Sequence, residues 1–430
     1  MNMEERKEER KAREAAQGRE AEVVEEGLQG NKKMRRGACG WLRERKVRDL
    51  VRDRRRLVEV PYTATLAHTV NALVANRVSA VPVAAPPGQW IGAGGSMILE
   101  SDRATGAVRK HYIGMVTMLD LLAHIAENGD QNHGAGDESS DGPERDLERR
   151  MSVPVSSIIG HSLEGLSLWT LNPTTSILDC METFSKGVHR ALIPLESRTN
   201  HAIAVELVEA SPGYRMLTQM DVISFLREQN QELKGVLSHS VLELGAIGEV
   251  IFSVSKHTKV MDTIRSMRAA GLSAVPVVEA PSDDQILQDV MNASWPVLLF
   301  ESQGKGKRLI ETFSATDLRG CPVVLLQSGL SLSVTEFKER LSMRGSNASI
   351  APPMAGDDPS PETRRLITCS PETSLSGVIV SAASNHVHRL WVVDGEGLLQ
   401  GVVSLTDMLR VVRDAVLRAE QELEGIVQHG

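Results

Sequence analysis

The sequence predicts an α/β protein built from four copies of one helix–strand–strand–helix unit. The first observation is a Ser/Thr-x-x-Asp signature that recurs at Thr117–Asp120, Thr218–Asp221, Ser314–Asp317 and Ser404–Asp407, with 101, 96 and 90 residues between successive aspartates. The second is that each signature is preceded by a short helical period of apolar residues and then a β-branched run. Self-similarity at a near-constant period marks a repeat architecture. The third is composition: 41% of residues are hydrophobic but only 3% aromatic, so the interiors must be aliphatic.

The elements follow in order. Apolar residues at i, i+3, i+4 and i+7 spacing predict a leading helix in each repeat. They are Leu66, Val70, Leu73 and Val74, then Ile177, Met181 and Phe184, then Val260, Ile264 and Met267, then Leu375, Val378, Ile379 and Ala382. A strand begins 11 or 12 residues after each of these first residues, at Val78, Val188, Leu272 and Val387. A second strand then runs into the signature and another apolar helix. The distance from Val78 to Thr117 is 39 residues but from Val387 to Ser404 only 17, so repeat four is the compact version, with Asp394-Gly-Glu-Gly397 as its hairpin connection. Repeats one and three carry long insertions, Pro86–Lys110 and Ala280–Arg308, of a length usually functional or partner-facing.

The expected organisation is a charged, disordered tail over 1–40, repeat one over 46–126, an acidic Gly-rich linker over 127–150 and repeat two over 151–229. Repeat three covers 240–325, a Pro/Gly-rich loop 342–360, repeat four 361–418, and a short C-terminal tail 419–430. The charged segment Arg227–Lys234 is expected to separate two independent cores, so that a fragment ending near Gly235 folds alone. With 48 basic and 56 acidic residues the net charge is −8, which gives no electrostatic case for nucleic acid. Cys39, Cys180, Cys321 and Cys369 lie far apart without metal spacing, so neither zinc nor any other metal is expected. No apolar run approaches a membrane span, and a soluble protein of the cytoplasm or nucleus is expected. The cluster Gly92-Ala-Gly94-Gly95 lacks the Gly-Lys-Ser/Thr ending of a phosphate loop and reads as a turn into an extra strand. The run Arg52–Arg56 reads as a solvated helix end, with partner docking as the alternative.

Four units of about 60 residues, each closing on Ser/Thr-x-x-Asp, resemble the cystathionine-β-synthase (CBS) domain over residues 46–418. That resemblance implies that repeats pair through their sheets into two Bateman modules, one with two and three with four, stacked as a disc. His189-Arg190 and His388-Arg389, at one strand position in repeats two and four, make the chain similar to the gamma regulatory subunits of AMP-activated and plant sucrose-nonfermenting-related kinases. The stretch Val60–Thr65 and the loop Ala85–Gly95 look like the plant members. The resemblance implies a non-catalytic regulator that binds AMP, ADP or ATP and works with a kinase catalytic alpha subunit and a beta subunit.

Two chemistries compete at the signatures. Ser/Thr with an acid three residues on is a helix capping box, while the same aspartate, beside exposed backbone N–H groups, suits ribose hydroxyls. The resemblance implies the ribose role for Asp120, Asp221, Asp317 and Asp407, with Thr117, Thr218, Ser314 and Ser404 meeting phosphate or base. The His-Arg pairs are either solvated charges on an edge strand or phosphate ligands near the disc centre. Repeats one and three carry Ser79-Ala80 and Ser273-Ala274 there, which removes charge that a phosphate wants. The alternative function is a scaffold blind to nucleotide.

Overall fold

The computed structural model describes residues 40–54, 57–85, 90–91, 97–98, 112–127, 148–159, 168–194, 214–279, 304–317, 328–345 and 366–428. The first 39 residues, most of the 127–150 linker, residues 346–365 and most of both long insertions lie outside this set. The glycine cluster lies outside it too, but Trp90–Ile91 pairs antiparallel with Met97–Ile98 on either side, which is the expected extra strand.

All four repeats fold alike. The leading helices are Leu66–Ala75, Ile177–Ser185, Val260–Ala269 and Leu375–Ser384. Thr65, Ser176 and Ser374 cap three of them, each side chain accepting a backbone N–H three residues on. After each helix the chain turns through left-handed backbone at Arg77 (φ 51°), Gly187 (91°), Gly271 (64°) and His386 (50°). Glycine adopts that conformation freely, whereas Arg77 and His386 hold it at a cost. The central strand follows and pairs antiparallel with the strand that ends in the signature: Ala80–Ala84 with Tyr112–Thr117, Arg190–Pro194 with Tyr214–Thr218, Ala274–Val278 with Leu309–Ser314, and Arg389–Val393 with Leu399–Ser404. A third, two-residue strand lies parallel on the other side in every repeat, at Val60–Pro61, Trp169–Thr170, Val254–Ser255 and Thr368–Cys369. Two residues carry no readable alternation, so these strands are invisible to periodicity.

Sheets and helices join different partners. Between repeats one and two, Tyr112 and Tyr214 meet edge to face with ring centroids 5.5 Å apart, and Arg190 reaches Ser79. Between three and four, Ile251, Val278, Trp391 and Leu399 form a small apolar core. Sheets therefore pair one with two and three with four. The two large cores run crosswise. One joins Ile177, Phe184, Val222 and Leu226 of repeat two to Val378, Ile379, Met408 and Val412 of repeat four. The other joins Leu66, Leu73, Leu121 and Ile125 of repeat one to Val260, Ile264, Met267 and Phe313 of repeat three. Each fully buried side chain of this size contributes roughly 1.5–3 kcal/mol, so the cores that carry most of the stability span the two modules.

This corrects the expectation of two separable cores. Leu233, Val236 and Leu237, within and just after the segment expected to divide them, are buried in the core shared by repeats two and four. Ser376 of repeat four donates to Asn230 at 3.1 Å. Flanking segments cross over as well. The helix Val47–Val51, assigned by sequence to repeat one, packs in the core of repeat two, where Ile177 N donates to Arg45 O. Residues 151–158, assigned to repeat two, cover repeat one through Leu66 N to Val153 O and Val155 N to Ala64 O. The segment 239–248 covers repeat four in the same manner, and at Gly401 any Cβ would stand 2.3 Å from the Ile247 side chain. The helix Val334–Gly345 covers repeat three and extends into the loop expected from 342. The final helix, Leu405–Gln428, continues through the expected C-terminal tail.

Candidate functional site

Every signature does the capping work, but not identically. In repeats one, two and four the aspartate Oδ2 accepts from both the backbone N–H and the hydroxyl of the Ser/Thr, and that hydroxyl accepts the aspartate N–H. In repeat three Asp317 Oδ2 accepts from Ser314 N at 2.8 Å, while Asp317 N donates to the Ser314 carbonyl. The Ser314 hydroxyl is thereby released toward Ser273 O and the Thr316 hydroxyl.

Cations stand beside three of the four carboxylates. Arg54 pairs with Asp221 Oδ1, Lys338 lies 4.0 Å from Asp317 and 2.9 Å from Glu311, and Arg410 lies 3.5 Å from Asp407. Asp120 is 5% exposed and spends its Oδ2 on Thr117. Arg52, Asp53 and Arg54 are exposed, as a solvated run requires, and Arg54 in addition pairs with a carboxylate while its carbonyl accepts from Arg215 Nε at 3.0 Å; Arg55 and Arg56 lie outside the described residues.

The His-Arg pairs sit where the modules meet. Arg190 Nη2 donates to Ser79 Oγ at 2.9 Å; Arg389 donates to Ser273 Oγ at 2.5 Å and Ala274 O at 3.0 Å. Each serine that replaces a cation in repeats one and three thus receives the arginine of the repeat paired with it. The arginines are half-buried, not solvated edge charges. Burial pushes the Arg389 guanidinium down to about 10, still charged at neutral pH. His189 lies close enough to Arg389 to feel its charge; burial first, and that charge second, hold its imidazole below the usual value and favour the neutral form.

One cleft gathers predicted residues from two repeats. Thr312, Ser314, Thr316 and Asp317 of repeat three face Asn385, His386, His388 and Arg389 of repeat four across a cleft that opens to solvent. Hydroxyls and a carboxylate line one side, imidazoles and a guanidinium the other. That donor set fits a ligand carrying both a diol and an anionic group. Of the sequence-predicted residues, Ser314, Asp317, His388 and Arg389 converge here; Thr117, Asp120, His189, Arg190, Thr218, Asp221, Ser404 and Asp407 do not line it. Sequence reasoning missed Thr312 and Thr316, although 312, 314 and 316 alternate as one side of a strand end. It also missed Lys338, which lies on a distant helix.

Residues 362–414 match the CBS domain family. SNF1-related protein kinase regulatory subunit gamma-like PV42a of Arabidopsis thaliana is 49% identical over 373 residues, covering 86% of this chain and 95% of that relative. The chain belongs to the SNF1-related kinase gamma-like regulatory subunit family. A second Arabidopsis thaliana member, gamma-like PV42b, is 47% identical over 380 residues, covering 88% of this chain and 97% of the relative. Among solved structures, a Methanocaldococcus jannaschii protein described as an archaeal homologue of gamma-AMPK superposes with a TM-score of 0.52 at 17% identity, over 85% of this chain and 99% of that one. At that identity the likeness concerns the fold, and it matches the paired repeats of this gamma-like chain.

Proposed function

We propose that this gamma-like subunit is a non-catalytic regulator that takes adenine nucleotide (AMP, ADP or ATP) in the cleft between repeats three and four and passes its occupancy to a kinase. Convergence of Asp317 with His388 and Arg389 carries the reading. Asp317 and the Thr312, Ser314 and Thr316 hydroxyls suit ribose and base, and Arg389 with the two histidines suits phosphate. The partners are a catalytic alpha and a beta subunit, in cytoplasm or nucleus, without nucleic acid, membrane or metal. Among the described residues no helix is long and apolar enough to cross a membrane, and no group of His, Cys, Asp and Glu is arranged to hold a metal.

Calorimetry with AMP, ADP and ATP on wild type and Asp317→Ala tests this. Binding that Asp317→Ala weakens about 10-fold or more, the loss of a hydrogen bond to a charged group, supports the reading. A second reading is a scaffold without nucleotide, favoured by Arg190 and Arg389 already being satisfied on serines. No heat with any nucleotide, together with retained kinase capture, selects it.

A further inference from the structure

Asp221 heads the repeat-two counterpart of the repeat-four signature, yet its surroundings differ. Its Oδ2 is consumed by Thr218, at 2.8 Å from both the backbone nitrogen and the hydroxyl. Only Oδ1 is left to accept a hydrogen bond from a ligand diol, and Arg54 pairs with that oxygen. Arg54 is not a chance neighbour, because it is anchored at several points. The helix Val47–Val51 buries Val47 and Val51 in the core of repeat two, Trp41 stacks on Phe225 at 5.1 Å, and Arg215 Nε holds the Arg54 carbonyl. Three residues after that helix ends, the chain delivers a guanidinium to the signature aspartate. In repeat four the matching flank supplies a backbone carbonyl, Gly245 O, to Arg410, and the cation on Asp407 comes from the same helix at 3.5 Å.

We propose that Arg54 is the specificity-determining residue of the repeat-two cleft: it occupies the position of the ribose diol on Asp221 and closes that cleft to nucleosides and their phosphates. The inference rests on the proposed nucleotide reading for the identity of the excluded ligand. With both lone pairs of Oδ2 in the capping box and one of Oδ1 on Arg54, Asp221 keeps a single acceptor site, one short of what the two hydroxyls of a diol require. The arginine is about half exposed and Asp221 only 10%, so removing the arginine uncovers the acid without opening the core.

The test is calorimetric stoichiometry with AMP on the full chain, comparing wild type, Arg54→Ala, Arg54→Gln and the double variant Arg54→Ala with Asp221→Asn. Melting temperatures verify folding, and Arg54→Gln keeps part of the aliphatic stem while removing the charge if the alanine variant proves unstable. Both single variants are expected to bind one more AMP per chain than wild type, and the double variant to lose that additional site. Wild-type affinity at the remaining site should be unchanged. A stoichiometry equal to wild type in both single variants, including no binding in any protein, overturns the proposal, as does a gain that survives Asp221→Asn. The wild-type count tests the nucleotide reading separately: no site in wild type with one in Arg54→Ala overturns the repeat-three and -four cleft but supports the closure by Arg54.

Discussion

The module of repeats three and four and the module of repeats one and two use the same signature to different ends. In the first, Thr312, Ser314 and Thr316 bring hydroxyls to a solvent-open cleft beside Asp317. The corresponding positions in repeat one are Met115, Thr117 and Leu119. Met115 is buried, and Thr117 and Asp120 are folded into a closed capping box at the head of the helix Met118–Glu127. Two threonines replaced by Met and Leu convert a polar cleft wall into core. The Ser/Thr-x-x-Asp motif therefore caps its helix in both modules, but only in repeat three does it also face a solvent-open cleft, and the neighbours two residues away decide that.

The largest effect comes from cutting the modules apart. A fragment ending near Gly235 exposes Phe184, Val222, Ile223 and Leu226, which the intact protein buries against repeat four. It is expected to lack a cooperative thermal transition or to self-associate, measurable by circular dichroism with sedimentation. A monomeric, cooperatively melting fragment would show that the sheet pairing alone suffices. Phe184→Ala in the intact chain should cost roughly 3–5 kcal/mol.

Arginine substitutions are expected to separate the modules next. Arg389→Gln should weaken nucleotide binding by roughly 1–3 kcal/mol, the worth of a charged hydrogen bond, and flatten its salt dependence. Arg190→Gln should change binding to the repeat-four side by under about 0.5 kcal/mol. Equal losses in titration calorimetry would mean that both modules contribute to one site. The aspartates sharpen the contrast: Asp120→Ala should lower stability by about 1 kcal/mol through the cap and leave nucleotide affinity unchanged.

His386 and Arg77 occupy the same left-handed turn position in the two modules. Replacing either by glycine relieves backbone cost and should raise stability by up to about 1 kcal/mol. Only His386→Gly is expected to weaken nucleotide binding as well, because His386 lines the cleft and Arg77 does not.

The smallest effect is a pH dependence at His189. Its folded pKa lies below the unfolded value near 6.5. The unfolded chain therefore takes up the proton first as pH falls, so the stabilisation present above about 6.5 is lost below it. Melting of the ligand-free protein between pH 7 and 5 should be less pH-sensitive in His189→Gln. A bound phosphate reverses the sign by favouring imidazolium, so nucleotide that reaches His189 binds more tightly at lower pH than it does in the glutamine variant, in identical buffer.

The sequence alone determined the repeat. Leu66, Ile177, Val260 and Leu375 each open a helix at the predicted place and are fully buried, because helical period and β-branched runs are local properties that four copies make unmistakable. It also singled out His189-Arg190 and His388-Arg389 as polar positions within apolar strands, leaving open whether they face solvent or a ligand. The tertiary structure alone decided what their partners are. Ser79 lies 111 residues from Arg190 and Ser273 116 from Arg389, and Arg54 reaches Asp221 across the fold. It also decided that the large cores join repeat one to three and two to four. An apolar helix face specifies that it will be buried, but hydrophobic burial is non-directional, and with four near-equivalent helix pairs only the geometry of assembly selects which faces meet.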